Sequence, residues 1–170
     1  FGLYGIAFSR FAGVWVGFKT TAEIMDSSAS VEAHPDALEI NTPDDFEMPE
    51  GGLNIRWPDP WLVQEERLHT HKYPAVHAFV RANAIDRVVI DSDKPRLVIA
   101  TTGKSYLDVR QALDDLGIDD DLAREIGLRV YKVGMPWPLE PTKARAACEG
   151  AERVLVVEEK RGLIEWQLKD

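Results

Sequence analysis

The sequence predicts an α/β domain in three layers, with helices on both faces of a mostly parallel sheet and a helical arm before it. Short apolar runs alternate with amphipathic helical stretches from residue 87 onward, an order typical of a parallel sheet. Val88-Val89-Ile90 and Val154-Leu155-Val156-Val157 are continuous apolar runs, which predict strands buried on both faces. The first 18 residues crowd aromatic and aliphatic side chains, which favours a helix buried on most sides.

The composition is that of a globular domain and excludes several classes of function. The chain has 170 residues, 45% of them apolar, and a formal net charge of −9. An acidic chain of this kind predicts no nucleic-acid partner and no membrane surface, because both need clustered basic residues. The longest uncharged apolar run, Phe11–Phe18, is far shorter than the ~20 residues of a membrane span.

The single cysteine and the first residues of the chain give expectations about the cellular compartment and about whether the chain is part of a longer protein. The single cysteine, Cys148, excludes a disulfide framework or a thiolate-held cluster within this chain. It also fits a reducing compartment, so we expect a cytoplasmic protein. The chain begins at Phe1 with neither an initiator methionine nor a signal-peptide pattern. We therefore expect it to be a piece of a longer protein.

The N-terminal third predicts helices followed by a linker. Gly13 and Gly17 predict breaks or close backbone approach in the first helix, and Thr20–Val31 is a second predicted helix. Ala37–Asn41 alternates apolar and polar residues and predicts a short strand. Residues 42–60 are rich in proline and glycine and predict a long loop.

The remaining residues predict the layered domain. The stretch 61–84 has a loose apolar face interrupted by Pro74, which predicts a kinked or split helix. Strands are predicted at Arg87–Ile90, Leu97–Ala100, Leu128–Val133 and Val154–Val157. Helices are predicted at Lys104–Leu116, Leu122–Ile126, Thr142–Glu149 and Arg161–Lys169. We expect three regions: a helical arm over 1–35, a linker over 36–60 and the α/β domain over 61–170.

Thr101-Thr102-Gly103-Lys104-Ser105 follows a predicted strand and opens a helix, where anions can bind. A nucleotide phosphate loop also needs a glycine five residues before the Gly-Lys pair, and that position holds Val98. One alternative is a glycine-dependent turn capped by Thr102 or Ser105. The other alternative is a weaker anion site formed by Gly103, Lys104 and Ser105.

No catalytic or metal-binding constellation emerges from the residue types. His69, His71 and His77 have spacings that place no pair on one helical face for zinc. Cys148 lies in an alanine-rich helix, where a lone cysteine usually packs as a small apolar residue. The serines lack the Gly-x-Ser-x-Gly frame of a hydrolase nucleophile. We therefore predict no catalytic residue and no metal ligand.

Two further segments are candidate contacts. Glu158, Glu159 and Lys160 follow the last strand, where parallel sheets place ligands; the alternative is that the acidic residues cap the next helix. Trp137 lies on a stiff loop with three prolines, Gly134–Pro141. An exposed tryptophan there is a contact anchor, and the alternative is a side chain folded over the end of the sheet.

Eight stretches spread along the chain carry a resemblance to a known family. They are Tyr4-Gly5, Phe8–Gly13, Trp15–Lys19, Asp26–Val31, Gly51–Pro58, Thr101–Tyr106, Gly134–Leu139 and Val156–Lys160. In order, and over nearly the whole chain, they resemble the thiamine-diphosphate-dependent 2-oxoacid:ferredoxin oxidoreductases, most closely the fused bacterial indolepyruvate enzymes.

The resemblance implies an enzyme that converts a 2-oxoacid, coenzyme A and oxidised ferredoxin into acyl-CoA, carbon dioxide and reduced ferredoxin. Its cofactors would be thiamine diphosphate, magnesium and 4Fe–4S clusters. This chain lacks a Gly-Asp-Gly-type thiamine diphosphate motif and a set of cluster cysteines. What it resembles is the end of the pyrimidine-side domain, about residues 1–35, followed by the transketolase C-terminal-like domain, which is mainly architectural in that family.

The resemblance also implies the strand arrangement. The strand at 97–100 would be central, between 128–133 and 154–157, with 87–90 running antiparallel. The short connection Asp91–Arg96 independently predicts that antiparallel direction. A crevice is then expected beside Thr101-Thr102-Gly103, where the strand order reverses. The expected contacts with a ligand or another domain at this edge are Gly103, Lys104, Ser105, Trp137, Glu158, Glu159 and Lys160.

The resemblance also implies partners for this chain. We expect contacts with other domains of the parent chain, and ferredoxin and coenzyme A as partners of the whole enzyme. Because residues 1–33 are too apolar for a free arm, we expect an exposed apolar patch or a homo-oligomer. The competing interpretation is a stand-alone interaction module, or one that binds a small anion at Thr101–Ser105.

Overall fold

The structure, a computed structural model, describes residues 1–31, 34 and 38–170. It contains two compact units, Phe1–Asn83 and Ala84–Asp170. The first unit is helical and the second contains the sheet. None of the helices in the described residues combines the length and the apolar character needed to cross a membrane.

In the described residues of the helical unit there are four α-helices and one π-helical turn. Phe8 of the first helix and Phe79 of the fourth are stacked with ring centroids 5.0 Å apart, and both side chains are buried. The bounds are α1 Gly2–Ala12, α2 Ala22–Asp26, α3 Trp61–Arg67, the π turn Leu68–Lys72, and α4 Tyr73–Ala82.

The π turn explains how the chain accommodates Pro74. Proline has no backbone N–H and cannot complete an α-helical bond to the carbonyl four residues earlier. The N–H of Tyr73 instead donates to the carbonyl of Leu68, five residues back. The predicted interruption near Pro74 is therefore confirmed, and it takes the form of a π turn rather than a break.

The predicted break at Gly13 is confirmed: the first helix ends at Ala12, because Gly13 adopts a left-handed φ of 62° and its N–H donates to the carbonyl of Ser9. The expected burial of this helix on most sides is wrong, because Leu3 and Ile6 are 63% and 57% exposed.

Two further predictions in the helical unit are wrong or fall partly outside the described residues. The second helix covers Ala22–Asp26, much less than Thr20–Val31, and Thr21 makes no capping bond with its side chain. In the predicted strand 37–41, residue 37 lies outside the described residues, and residues 38–41 are not in a strand.

The second unit is a four-stranded sheet with the predicted topology. The bounds are β1 Arg87–Ile90, β2 Leu97–Thr102, α5 Gly103–Asp115, α6 Asp120–Ile126, β3 Leu128–Val133, α7 Pro141–Cys148, β4 Arg153–Val157 and α8 Ile164–Lys169. The strand order is β1-β3-β2-β4. Strands β3 and β4 are parallel to β2, and β1 is antiparallel to β3. The predicted central strand and the predicted antiparallel edge strand are therefore both confirmed.

Helices cover the two faces of this sheet, which confirms the three-layer α/β/α architecture. One cluster joins Ile99 and Val130 of the sheet to α5 and α6. The other joins Ala100 and Tyr131 to α7 and α8. Successive strand residues point to opposite faces, so β2, β3 and β4 contribute to both clusters, while β1 contributes to the α5 and α6 cluster.

The sequence predicted that the apolar runs of β1 and β4 are buried on both faces. This prediction is wrong. Both strands lie at edges of the sheet. Val88 is 37% exposed, and Val154 and Leu155 are 42% and 49% exposed. The apolar composition predicted the strands correctly but not their position in the sheet, because an edge strand has a neighbour on one side only.

Candidate functional site

The carboxyl ends of three strands lie level at one edge of the sheet. Thr102 of β2 pairs with Val133 of β3, and Thr101 pairs with Val157 of β4. The segments that begin at Gly103, Gly134 and Glu158 therefore leave the sheet at the same edge. The prediction that Gly103 and Glu158 share an edge is confirmed.

The turn into α5 is shaped by a glycine and not by a side-chain cap. Gly103 has a φ of 55°, which glycine adopts easily. Thr102 occupies the N-cap position, but its hydroxyl donates to the carbonyl of Val133 at 2.8 Å and makes no capping bond. The prediction that Thr102 caps this helix is therefore wrong. Lys104 Nζ lies 2.9 Å from the carboxylate of Asp108, and Ser105 is buried.

The loop Gly134–Glu140, which follows β3, is anchored at its start by a buried carboxyl group. Asp86 Oδ1 accepts hydrogen bonds from the N–H groups of Gly134 at 2.7 Å and Met135 at 2.9 Å. Asp86 is only 3% exposed. The chain also passes so close that a Cβ on Gly134 would lie 2.4 Å from the carbonyl oxygen of Ile85.

The same loop is anchored again near its end. Gln167 of α8 donates to the carbonyl of Pro136 at 2.8 Å and accepts from the N–H of Leu139 at 2.7 Å. Between these anchors, Trp137 is 61% exposed. The structure therefore favours the exposed tryptophan over a side chain folded across the end of the sheet.

Glu158 is a helix cap. Its carboxylate accepts hydrogen bonds from the N–H groups of Leu163, Ile164 and Glu165, at 2.8–3.2 Å. Of the two alternatives for Glu158, the structure shows the cap of the following helix. The adjacent Glu159 and Lys160 are exposed.

Three buried polar side chains lie on the α7 and α8 face. Glu140 is fully buried and accepts from the N–H groups of Thr142 and Lys143 at the start of α7. Burial raises the pKa of Asp86 to about 6, the two backbone hydrogen bonds oppose this, and the charge of Glu140 adds to it. Burial first, and then the charges of Asp86 and Glu140, raise the pKa of Tyr131.

The residues of this chain do not supply the ligands of a 4Fe–4S cluster, one of the cofactors that the resemblance implies. A 4Fe–4S cluster takes four thiolates, and the chain has one cysteine. Burial raises the pKa of that thiol, Cys148, although the charge of Arg129 opposes the effect. Across residues 1–31, 34 and 38–170, no three His, Cys, Asp or Glu side chains are grouped to hold a metal.

A surface cavity lies away from the candidate residues. Its volume is about 530 Å³. It is lined by Ser92, Asp93, Lys94, Arg96, Arg124, Glu125 and Gly127, which lie near the amino ends of β2 and β3. Two of its cations are paired with carboxylates, Arg96 with Glu152 and Arg124 with Asp121. The cavity therefore does not coincide with the edge that carries Gly103, Trp137 and Glu158.

The sheet order, the two helical layers and the loops at the carboxyl edge define a three-layer α/β domain with an antiparallel edge strand. Residues 86–170 match the family described as the indolepyruvate ferredoxin oxidoreductase middle domain. This match covers half of the chain, and the chain belongs to that family. A comparison with curated proteins finds no match.

A solved structure is also similar to part of the chain. It is a 2-oxoglutarate:ferredoxin oxidoreductase from Magnetococcus marinus, with 2-oxoglutarate, coenzyme A and succinyl-CoA bound. The similarity has a TM-score of 0.46 at 18% identity and covers 71% of this chain. It covers 20% of the other chain, so the present chain spans about a fifth of that protein's length.

Sequence reasoning missed Asp86, Glu140 and Gln167, the residues that hold the tryptophan loop and the helix after it. A local signal existed for Glu140, because an acceptor directly before a proline at the first helical position is typical of a helix start. Asp86 contacts backbone groups 48 and 49 residues away. No local pattern predicts a contact at that distance along the chain.

Proposed function

We propose that this chain is a non-catalytic domain of a thiamine-diphosphate-dependent 2-oxoacid ferredoxin oxidoreductase that acts on an aryl 2-oxoacid such as indolepyruvate. The observation that carries the proposal is the family match over residues 86–170. The whole enzyme would be cytoplasmic and would convert the 2-oxoacid to acyl-CoA with reduction of ferredoxin. Other domains of the parent would bind thiamine diphosphate, magnesium and the 4Fe–4S clusters, since the single cysteine of this chain cannot ligate a cluster.

In this proposal the chain contributes a surface rather than a reacting group. The surface is the carboxyl edge of the sheet, with Gly103, Lys104, Ser105, Trp137, Glu158, Glu159 and Lys160 as contacts with a ligand or a neighbouring domain. Trp137 is the strongest candidate, because it is exposed on a loop that Asp86 and Gln167 hold at both ends. A preordered aromatic side chain loses little entropy on binding.

The first test concerns activity. We expect the purified chain not to reduce ferredoxin or a viologen dye with indolepyruvate, coenzyme A and thiamine diphosphate, because it lacks cluster ligands. The full-length parent enzyme under the same conditions is the positive control. Thiamine-dependent dye reduction by the chain alone would contradict the non-catalytic role, and an inactive parent would contradict the enzyme assignment.

The second test concerns the edge, and the chain offers matched controls for it. In the parent enzyme, Trp137→Ala is compared with Trp166→Ala, which removes a tryptophan of almost equal exposure, 60% against 61%. Lys104→Ala is compared with Lys169→Ala, because each lysine pairs with a carboxylate four residues away. We expect Trp137→Ala and Lys104→Ala to change the coenzyme A dependence or the assembly state more than their controls do. Equal effects within both pairs would refute the edge as a contact surface.

The alternative function is that of a small-anion-binding module. The observation that favours it is the turn at Gly103, which opens the 13-residue helix α5 without an acidic residue in its first turn. Calorimetry of the chain against inorganic phosphate, thiamine diphosphate and coenzyme A separates the two functions. Saturable binding of phosphate that Lys104→Ala weakens would support the module, and no heat with any of them would support the interdomain role.

Exposed aromatic side chains in the helical unit are candidates for a contact with another domain or with a second copy of the chain. Trp15 is fully exposed and Phe18 is 63% exposed in the helical unit, and large exposed apolar groups commonly mark interaction surfaces. We propose that these side chains pack on another domain of the parent or on a second copy. Light scattering that shows a monomer of the isolated chain at all concentrations would exclude the second copy.

A further inference from the structure

Asp86 is a buried acid that the proposed function does not use. It directly precedes β1 and is 3% exposed. One of its oxygens, Oδ1, accepts both hydrogen bonds that hold the start of the loop Gly134–Glu140. The other, Oδ2, is buried and has no hydrogen-bond partner among the described residues.

We propose that Asp86 is a proton-controlled latch for this loop, and that loss of its proton makes the loop open more readily and so releases Trp137 from its fixed position. The proposal rests on the two bonds to Oδ1 and the unpartnered Oδ2. It concerns the loop itself and holds whether or not the proposed function does.

The burial of the carboxyl group gives the direction of the effect, because it outweighs the two N–H bonds to Oδ1, which favour the ionised form. A neutral carboxyl group keeps its carbonyl oxygen as the acceptor for Gly134 and Met135, so both loop bonds survive protonation. An ionised group places charge on the buried, unpartnered Oδ2, which is costly in a low-dielectric interior. Protonation therefore favours the closed loop, and ionisation favours a state in which Asp86 reaches water.

The groups around Asp86 reinforce this direction. The titratable neighbours of Asp86 are Glu140 at the start of α7 and Tyr131 of β3. Cys148, at the end of α7, lies near Tyr131. Glu140 raises the pKa of Asp86 through its negative charge, and Tyr131 has a hydroxyl without a hydrogen-bond partner among the described residues. The loop residues 134–139 carry no charge. Glu140 and Tyr131 carry no positive charge that would stabilise the ionised form of Asp86.

The size of the effect follows from the linkage between proton binding and opening. In the closed state the pKa of Asp86 is about 6, against an ordinary value of 3.8. An open loop returns Asp86 to water, so opening is coupled to release of the proton. The equilibrium constant for opening is then expected to rise about tenfold between pH 5 and pH 8.

The test measures hydrogen exchange of individual amides by NMR in the whole 170-residue chain, with the intrinsic pH dependence of exchange divided out. We expect the protection of the Gly134 and Met135 amides to fall about tenfold between pH 5 and pH 8. The amide of Ile164, which is bonded to the carboxylate of Glu158, is the reference and should change much less. Protection at Gly134 and Met135 that does not depend on pH would overturn the proposal.

The variant Asp86→Asn supplies the control. Asparagine keeps an acceptor oxygen for both loop amides but cannot ionise. We expect it to retain their protection and to remove the pH dependence; a variant with the same pH dependence as the natural chain would also overturn the latch. A carbon-13 titration of the Asp86 carboxyl group in the natural chain tests the same point without a substitution. A midpoint near 6, shared by the amide shifts of Gly134 and Met135, is expected, and a midpoint near 4 contradicts the proposal.

Discussion

The helical unit and the sheet unit are stabilised in different ways. In the helical unit a large part of the buried aromatic contact is concentrated on Phe79, which packs against Phe8 and Phe11. In the sheet unit, aliphatic side chains form two separate clusters, one on each face. In the helical unit one buried side chain, Phe79, makes two aromatic contacts, whereas the sheet unit buries its side chains in two clusters. We therefore expect a single substitution to destabilise the helical unit more.

The largest effect is therefore expected from Phe79→Ala. Removal of a buried aromatic side chain leaves a cavity and lowers the free energy of unfolding of the helical unit by about 3–5 kcal/mol. Chemical denaturation followed by circular dichroism measures this change. Phe18→Ala removes the same side chain from a 63% exposed position and should change stability by less than about 0.5 kcal/mol. Equal losses would show that the aromatic contact is not the main support of this unit.

A second test concerns the backbone of the helical unit. Gly13 has a φ of 62°, and a Cβ there would lie 2.1 Å from the carbonyl oxygen of Leu53. We expect Gly13→Ala to lower the unfolding free energy by about 1–3 kcal/mol or more, because left-handed strain and a backbone clash both oppose it. Gly17→Ala is the matched control, since its Cβ would meet no atom within 4 Å. A thermal melt in which both variants lose the same stability would contradict the close approach at Gly13.

We expect the free energy of unfolding of the sheet unit to depend on pH because of Asp86. Its folded-state pKa of about 6 exceeds the ordinary 3.8, so the stabilisation is complete below pH 3.8 and is lost as the pH rises through 6. Between pH 5 and pH 8 the free energy of unfolding of this unit should fall by about 1–2 kcal/mol. Urea denaturation at several pH values measures the fall. In Asp86→Asn this contribution should vanish, and its persistence there would assign the pH dependence to another group.

The smallest effect is expected from Lys104→Ala in the isolated chain. The lysine is partly exposed, and its ion pair with Asp108 is a surface pair within one helix. Such pairs contribute about 0.3–0.5 kcal/mol. The change in denaturation midpoint should be close to that of Lys169→Ala, which removes the comparable pair with Glu165. A loss above about 1 kcal/mol would mean that Lys104 supports the turn at Gly103.

Most of the sheet unit could be predicted from the sequence. Strands Arg87–Ile90 and Leu128–Val133 have the predicted bounds, because their apolar runs end at local signals such as Gly127 and Gly134. The parallel arrangement followed from the helices between successive strands. The exposure of β1 and β4 could not be predicted, since it depends on which strand lies beside which.

Fewer features of the helical unit and of the buried acids could be predicted from the sequence. The end of α1 at Gly13 had a local signal, but the close approach of the Leu53 carbonyl, 40 residues further along the chain, had none. The anchoring of the tryptophan loop depends on Asp86 and Gln167, which approach it from opposite directions along the sequence. In both cases the contact joins residues that are distant in the sequence, and no local pattern predicts it.

The exposed strand β4 has a consequence for the chain in solution. In the described part of the chain β4 is an edge strand that pairs with β2 alone. Natural sheets commonly protect such an edge with lysine, proline or a bulge. Within Arg153–Val157 a single charge stands at the first position and there is no proline. The strand can therefore act as a template for the addition of another extended segment. Aggregation of this chain should begin at that strand, and it should increase with protein concentration before the fold itself is lost.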